Sequence, residues 1–194
     1  MSAVTGYYLI NHQKLYKPDD QALKIIDLLQ EARQRSLTQR GTMRVEIDLT
    51  DNMVRLIDEN TATAAEADDE IIKRIPLLDA SEVNIEQRAT NIATNPPEPL
   101  LAGSAVFSPS VYPPSATHRV CTLRFKSNYQ VVDEDNNPTG ITLHIWSPSK
   151  TNSSEAEIAR AVTIIGTTGS IRMWEYQYNS NQANKWADSR RSGS

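Results

Sequence analysis

The residues that could do chemistry are few and stand far apart in the sequence. The chain has three histidines, His12, His118 and His144, and one cysteine, Cys121. Zinc sites and activated nucleophiles usually show short spacings such as HExxH, paired Cys and His, or a GxSxG turn, and none of these occurs here. The sequence therefore predicts no catalytic residue, no cofactor site and no metal site. The alternative of a hydrolase that uses His118 or His144 rests only on the presence of these side chains.

Cys121 and His144 fall in strand-like segments, on faces of different character. Cys121 alternates with Leu123 and Phe125, which predicts a small buried core residue. A reactive thiolate would need a basic neighbour on its own face, whereas Arg124 points to the opposite one. His144 lies opposite the apolar side chains of its strand, which predicts a hydrogen-bonded or exposed surface histidine.

An oxygen-rich segment, DEDNN at residues 133–137, has the composition of a calcium loop. In the register of an EF-hand, Pro138 stands where the turn glycine belongs and His144 where the bidentate glutamate belongs. We therefore predict a solvated hairpin turn, and the sequence alone leaves calcium binding open.

Basic residues near the end of the chain are the candidates for nucleic-acid contact. They are Arg172, Lys185, Arg190 and Arg191, and Trp186 could add stacking on single-stranded bases. The formal net charge of −4 disfavours a general nucleic-acid binder. The sequence therefore favours a solvated tail over a nucleic-acid site.

The composition is that of a polar chain with one domain-sized core. Its 194 residues, 39% of them hydrophobic, can bury a core without help from metals or disulfides. The mean hydropathy is −0.50. No stretch approaches the roughly 18 apolar residues that a membrane span needs, and residues 1–10 lack the features of a signal peptide.

The clearest element is a helix over residues 19–40 that ends at Gly41. Small and apolar side chains recur there at every third or fourth position and form one stripe. The stripe consists of Ala22, Ile25, Ile26, Leu29, Ala32 and Ser36. Gln21 and Lys24 are among the polar residues expected on the other faces.

A hairpin and further strands follow the helix. In residues 44–57 apolar side chains point one way while Arg44, Glu46 and Asp48 point the other, around a turn at 51–52. Further strands are predicted at 71–78, 82–86, 118–125, 129–132, 141–146, 161–165 and 171–178. One long helix followed by antiparallel strands predicts the α+β class.

The chain divides into three parts by composition. Residues 1–41 form the helix with its apolar start, residues 42–178 form a β-rich head, and residues 179–194 form a polar tail that we expect to be disordered. The head contains a long irregular region, residues 91–117, with six of the ten prolines. Loops of this length are usually functional or mobile.

Residues 2–10 read SAVTGYYLI, carry no charge and would favour association if exposed. Two interpretations fit these residues. Either they form a first strand or helical turn tucked into the core, or they are the end of a longer apolar helix. The candidate partner-binding residues are Tyr7, Tyr8, Leu9, Ile10 and Leu15.

The order and spacing of the segments resemble the GspH/FimT class of minor pilins and pseudopilins. The resemblance is carried by EARQRS at 31–36, Gly41, VEID at 45–48, LRF at 123–125, GITL at 140–143, AVTI at 161–164 and GSIRMW at 169–174. It implies a pilin-like fold, with a long N-terminal helix packed on antiparallel sheets. It also implies a prepilin whose helix continues upstream of residues 2–8 and anchors the protein in the bacterial inner membrane, with the head in the periplasm.

The resemblance implies assembly with other pilins or pseudopilins and no enzymatic activity. The expected function is that of a minor pseudopilin of a type II secretion system, near the tip of the pseudopilus, in protein export. The alternative is a minor type IV pilin for pilus assembly or DNA uptake. That alternative would be expected to show several arginines near the closing hairpin, where only Arg172 is present. Residues 91–117 are expected to form a surface specific to a partner or substrate.

Overall fold

The computed structural model describes residues 2–60, 69–86, 88, 92, 96–97, 103–104, 106–111, 114–133, 135–148 and 159–189. Side chains are described from Tyr16 onward, except at 103–104, 109–111 and 114–116. The elements are α1 (Ser2–Gln39), β1 (Thr42–Asp48), β2 (Met53–Glu59), β3 (Glu70–Pro76), β4 (Asn84–Glu86), β5 (Gly103–Ser104), β6 (Ser108–Val111), β7 (Pro114–Phe125), β8 (Val131–Val132), β9 (Ile141–Trp146), β10 (Arg160–Ile165), β11 (Ser170–Tyr176) and β12 (Trp186–Asp188).

The N-terminal helix α1 is 38 residues long and begins far upstream of the predicted start. At a rise of about 1.5 Å per residue it is roughly 57 Å long. Residues 2–10 are helical, which excludes the interpretation of this segment as a strand. Pro18 lies inside the helix and removes one backbone hydrogen bond there.

The predicted stripe of α1 from Ala22 to Ser36 is buried. Gln21, which we expected on a polar face, is buried as well. The reason is a specific contact, because the backbone N–H of Leu78 donates a hydrogen bond to Gln21 Oε1 at 2.9 Å. The helix therefore fixes the segment after β3 through a polar side chain and not only through its apolar stripe.

The strands form two sheets, which confirms the predicted α+β class. The first sheet has the order β3-β2-β1-β7-β6, with β8 added on β7. The second sheet has the order β12-β11-β10-β9-β4, with β5 added on β9. Among the described strands every pair is antiparallel except β5 with β9.

The main core lies between α1 and the inner faces of both sheets. The helix packs on β1, β2 and β7 of the first sheet and on β9, β10 and β11 of the second. The buried strand residues are Met43, Val45, Ile47, Val54, Leu56, Ile85, Cys121, Leu123, Phe125, Val131, Ile141, Leu143, Ile145, Val162 and Ile164. Each fully buried aliphatic side chain contributes about 1.5–3 kcal/mol. One helix thereby joins two sheets into one hydrophobic core.

The outer face of the second sheet is covered by a second apolar cluster. Its buried members are Ile92, Ala159, Ala161, Trp174, Tyr176 and Trp186. Trp186 belongs to β12, which pairs with β11, and its ring packs edge-on against Tyr176 with centroids 5.2 Å apart. The prediction of a disordered tail is therefore wrong for residues 179–189, because Trp186 supplies enough buried surface to hold a polar segment. Residues 190–194 lie outside the described part of the chain.

The proline-rich region is shorter than predicted. Strand β7 begins at Pro114, before the expected start at His118, and β6 occupies Ser108–Val111. Strand β6 lies at the edge of the first sheet, and its pairing with β7 shifts register next to Pro109. An edge strand tolerates proline because the missing N–H faces away from the sheet. Pro76 ends β3 at the opposite edge, as predicted.

Candidate functional site

The outward face of α1 carries two large exposed side chains. Tyr16 is 62% exposed and Leu23 is 49% exposed. They are seven residues apart, which places them on one face of the helix, opposite the stripe that contains Leu29. Sequence reasoning did not single out either residue, although their spacing opposite the buried stripe was a usable signal.

The candidate partner-binding residues precede this face in the same helix. Tyr7, Tyr8, Leu9, Ile10 and Leu15 all lie within α1. Their side chains are outside the described residues, so their role stays a prediction. Among the described residues, no helical segment combines the length and the apolar character that are needed to cross a membrane.

Ion pairs fix α1 against the head along its length. Arg160 donates to both carboxylate oxygens of Asp19, at 2.6 and 3.1 Å. Lys73 of β3 donates to Glu31 Oε2 at 2.8 Å, and this hydrogen bond is the main cause of a lowered Glu31 pKa. Partly exposed pairs of this kind contribute about 0.2–1 kcal/mol each. They therefore orient the helix more than they stabilise the fold.

The outer face of the first sheet carries a buried ionic network. Arg44 and Arg124 both bind Glu59: Arg44 Nη1 lies 3.1 Å from Oε1, and Arg124 Nη2 lies 2.7 Å from Oε2. Arg44 Nη2 also donates to Asp69 Oδ2 at 2.8 Å. The predicted alternation of β1 is confirmed, and the charged side chains of its outer face are buried because each lies against an opposite charge.

Glu46 lies in the middle of this network. Its Oε1 accepts a hydrogen bond from Arg44 Nε at 2.9 Å. Its Oε2 is buried, has no hydrogen-bond partner among the described residues and lies 3.9 Å from Arg55 Nη1. Burial raises the pKa of Glu46 to about 7, against the lowering effect of Arg44 and Arg55.

The turn end of the β1–β2 hairpin brings together two carboxylates and a histidine. His118 Nδ1 of β7 lies 3.0 Å from Asp48 Oδ2 and 3.9 Å from Asp51 Oδ2. Arg55 bridges the same oxygens, with Nη1 at 3.0 Å from Asp48 Oδ2 and Nη2 at 2.5 Å from Asp51 Oδ2. The three potential ligand atoms of Asp48, Asp51 and His118 all lie within 4.8 Å of one another. Sequence reasoning missed this cluster because only the register of β7 on β1 brings His118 to the turn.

Asp48 is held rigidly in this cluster. Its Oδ1 accepts hydrogen bonds from the backbone N–H groups of Thr50 at 2.9 Å and Asp51 at 3.0 Å. Burial raises the pKa of Asp48, but the Asp51 N–H and the contacts with His118 and Arg55 outweigh it and hold this pKa below its usual value. Asp48 is therefore a carboxylate with one oxygen fixed and the other directed at His118.

His144 is buried beside the second apolar cluster, so the prediction of a surface histidine is wrong. It is 3% exposed, and its ring centroid lies 6.1 Å from that of Trp186. Neither ring nitrogen makes a hydrogen bond of good geometry among the described residues, although the backbone of Glu86 is close enough to favour the protonated ring. Burial, followed by the Arg88 cation, lowers the pKa of His144 to about 4 against this effect of Glu86. The cause is the cover over the outer face of the second sheet, which the alternation of β9 could not reveal.

Cys121 and the acidic turn at residues 133–137 lie in different surroundings, one in the core and one at the surface. Cys121 is buried, as predicted, and burial raises the pKa of its thiol to about 12. In the turn, Asp133 Oδ1 accepts hydrogen bonds from the backbone N–H groups of Asp135 at 3.0 Å and Asn137 at 2.9 Å. The turn is thus closed by its own hydrogen bonds, and calcium binding there stays untested.

The basic candidates for nucleic-acid contact are not gathered into one patch within the described residues. Arg172 Nη1 of β11 lies 3.3 Å from Asp188 Oδ2. Lys185 donates to the carbonyl oxygen of Tyr178 at 2.6 Å and lies over its ring at 4.7 Å. Arg190 and Arg191 fall outside the described residues, so their contact with nucleic acid stays a prediction.

The sequence matches no protein-family model and no curated protein. A solved structure that the chain resembles is the type IV minor pilin FimU of Pseudomonas aeruginosa strain PAO1. The likeness has 15% sequence identity and a TM-score of 0.45, and it covers 87% of this chain and 97% of that chain. At this distance it assigns neither a function nor a partner to the chain.

Proposed function

We propose that this chain is a non-enzymatic minor pseudopilin of a type II secretion system, which assembles with other pseudopilins through α1. One observation supports the proposal most directly. On the outward face of α1, Tyr16 is 62% exposed and Leu23, seven residues later, is 49% exposed. A helix that presents two large apolar side chains opposite its buried stripe is suited to pack against other helices.

The physical chemistry of such packing is simple. Burying Leu23 or Tyr16 against an apolar partner surface would contribute about 1.5–3 kcal/mol each. The same proposal includes an inner-membrane anchor upstream of α1 and a periplasmic head, as the resemblance to minor pseudopilins implies.

Complementation in the native bacterium tests the proposal. A strain that lacks the gene is supplied with the full native protein carrying Leu23→Glu or Tyr16→Glu. Both variants are expected to lose export of secreted proteins into the medium, because a charge on this face prevents helix packing. The matched control is Ile71→Glu, which changes a similarly apolar residue, 36% exposed, on the edge strand β3.

Two results would count against the proposal. If the Leu23 and Tyr16 variants restored export as well as the control does, the outward face of α1 would not be an assembly surface. If the deletion strain kept normal export and lost surface pili or DNA uptake, the chain would be a minor type IV pilin instead.

A further inference from the structure

We propose that the turn end of the β1–β2 hairpin binds a divalent transition-metal ion through Asp48 Oδ2, Asp51 Oδ2 and His118 Nδ1. The site lies in the head and is independent of the surface of α1. A negative result for the metal site would therefore leave the proposed function unaffected, and the reverse also holds.

The positions of the three atoms fit a small cation. Tetrahedral zinc, with bonds of about 2.0–2.2 Å to nitrogen and oxygen, needs its ligand atoms roughly 3.3 Å apart. The distances from His118 Nδ1 to Asp48 Oδ2 and Asp51 Oδ2 are 3.0 and 3.9 Å, and no separation exceeds 4.8 Å. Asp51 lies in the turn with its side chain 43% exposed, so it can move by the remaining ångström.

The donor set selects the class of metal. One imidazole nitrogen and two carboxylate oxygens suit zinc, cobalt or nickel better than calcium or magnesium, which prefer oxygen alone. Because a carboxylate only accepts, His118 donates from Nδ1 to Asp48 Oδ2 when no metal is bound. On binding, the neutral ring changes tautomer: the Nδ1 proton passes to solvent, Nε2 takes up a solvent proton, and the metal lies between Nδ1 and the carboxylate oxygen, with water on the remaining positions. The backbone N–H groups of Thr50 and Asp51 keep Asp48 oriented, as outer hydrogen bonds do in metal sites.

Arg55 is the cation that a metal would have to displace. It bridges Asp48 and Asp51, so its single positive charge offsets one of their two negative charges in the absence of metal. A second acceptor is within reach, because Glu46 Oε2 has no hydrogen-bond partner among the described residues and lies 3.9 Å from Arg55 Nη1. Glu46 is 98% buried in this position, since only 2% of its surface is exposed. The hairpin thus offers both a place for the metal and a place for the displaced guanidinium.

Zinc titration of the full chain, followed by calorimetry, tests the proposal. The wild type is expected to bind one zinc ion. His118→Gln and Asp51→Asn are each expected to weaken binding at least about tenfold, because each removes a direct ligand. Arg55→Gln is expected to tighten binding several-fold, because it removes the competing cation. Asp133→Asn and His12→Gln are the matched controls, and neither should change the affinity.

Thermal unfolding of the same variants separates loss of the site from loss of the fold. Zinc should raise the Tm of the wild type and of Arg55→Gln, and should leave that of His118→Gln unchanged, while the metal-free melts show that each variant folds. Absence of binding to both the wild type and Arg55→Gln at about 100 µM zinc would overturn the proposal. So would binding that survives His118→Gln but is lost in Asp133→Asn or His12→Gln, because the ion would then lie elsewhere.

Discussion

Replacing His144 by phenylalanine is expected to remove a large part of the acid sensitivity of the fold. The imidazole is 3% exposed, and it packs against Trp186. The Arg88 cation disfavours protonation of the ring, whereas the backbone of Glu86, which pairs with His144 across β4 and β9, favours it. Burial is the larger effect, so the folded protein holds His144 neutral down to a pKa of about 4.

The size and sign of the effect follow from linkage. The unfolded chain binds a proton at His144 with a pKa near 6.5, and the folded chain only near 4. Between these values the unfolded state carries more protons, so the free energy of unfolding falls as the pH is lowered. A difference of 2.5 units, at about 1.4 kcal/mol per unit, amounts to roughly 3 kcal/mol between pH 7 and pH 4.

Urea unfolding, followed by the fluorescence of Trp174 and Trp186, measures this contribution. Other groups also titrate in acid, including Asp48, so the informative quantity is the difference between wild type and variant at each pH. His144→Phe should gain about 3 kcal/mol on the wild type as the pH falls from 7 to 4. His144→Gln is the matched control for packing, because it keeps a buried polar group that does not titrate. His144→Gln should show the same pH dependence of the free energy of unfolding as His144→Phe. It should be less stable than His144→Phe at pH 7.

A constant difference between wild type and both variants from pH 7 to pH 4 would refute this reasoning. It would mean that folded and unfolded chains protonate His144 alike, and hence that the ring reaches solvent. If the difference in the free energy of unfolding from the wild type grew with falling pH only for His144→Phe, the effect would come from packing and not from protonation.

Three further substitutions, and a control for the first of them, test separate parts of the fold by thermal or urea unfolding. Gly166→Ala places a Cβ 2.2 Å from the carbonyl oxygen of Thr139 and should cost about 3 kcal/mol, whereas Gly41→Ala, with no atom nearer than 3.8 Å, should change stability by less than about 0.5 kcal/mol. Glu59→Gln leaves two buried guanidinium groups short of a charge partner and should cost about 3–5 kcal/mol. Trp186→Ala should cost about 3–5 kcal/mol and make residues 179–189 sensitive to protease, while an unchanged cleavage pattern would show that β12 is held by other contacts.

The parts of the fold that the sequence predicted are those that local periodicity determines. The stripe of α1 and the alternation of β1 and β2 depend only on which side chains follow each other at helical or strand spacing. The predicted pairing of the hairpin is observed, with Val45 opposite Leu56 and Ile47 opposite Val54. Cys121 could be placed in the core for the same reason.

The errors arose where burial comes from distant segments. The tail was predicted as disordered because its composition is polar, yet β12 pairs with β11 and Trp186 is buried against the second sheet. That docking in turn buries His144, which the alternation of β9 had placed on a polar face. The cluster of Asp48, Asp51 and His118 could not be predicted either, because its histidine comes from β7 and the register of that strand is set by the whole sheet.

Burial on both faces of both sheets limits where a partner can bind. The outer face of the first sheet carries Arg44, Glu59 and Arg124, which satisfy each other, and a partner that separated them would have to replace buried ion pairs. The outer face of the second sheet carries the apolar cluster that includes Trp174, Tyr176 and Trp186. Among the described residues, the large exposed apolar side chains are Tyr16, Leu23, Ile71, Val106 and Tyr129. Tyr16 and Leu23 are the pair that shares one face of one rigid element. If this chain assembles as proposed, it should therefore do so through α1, with the sheets acting as a closed head that the helix carries.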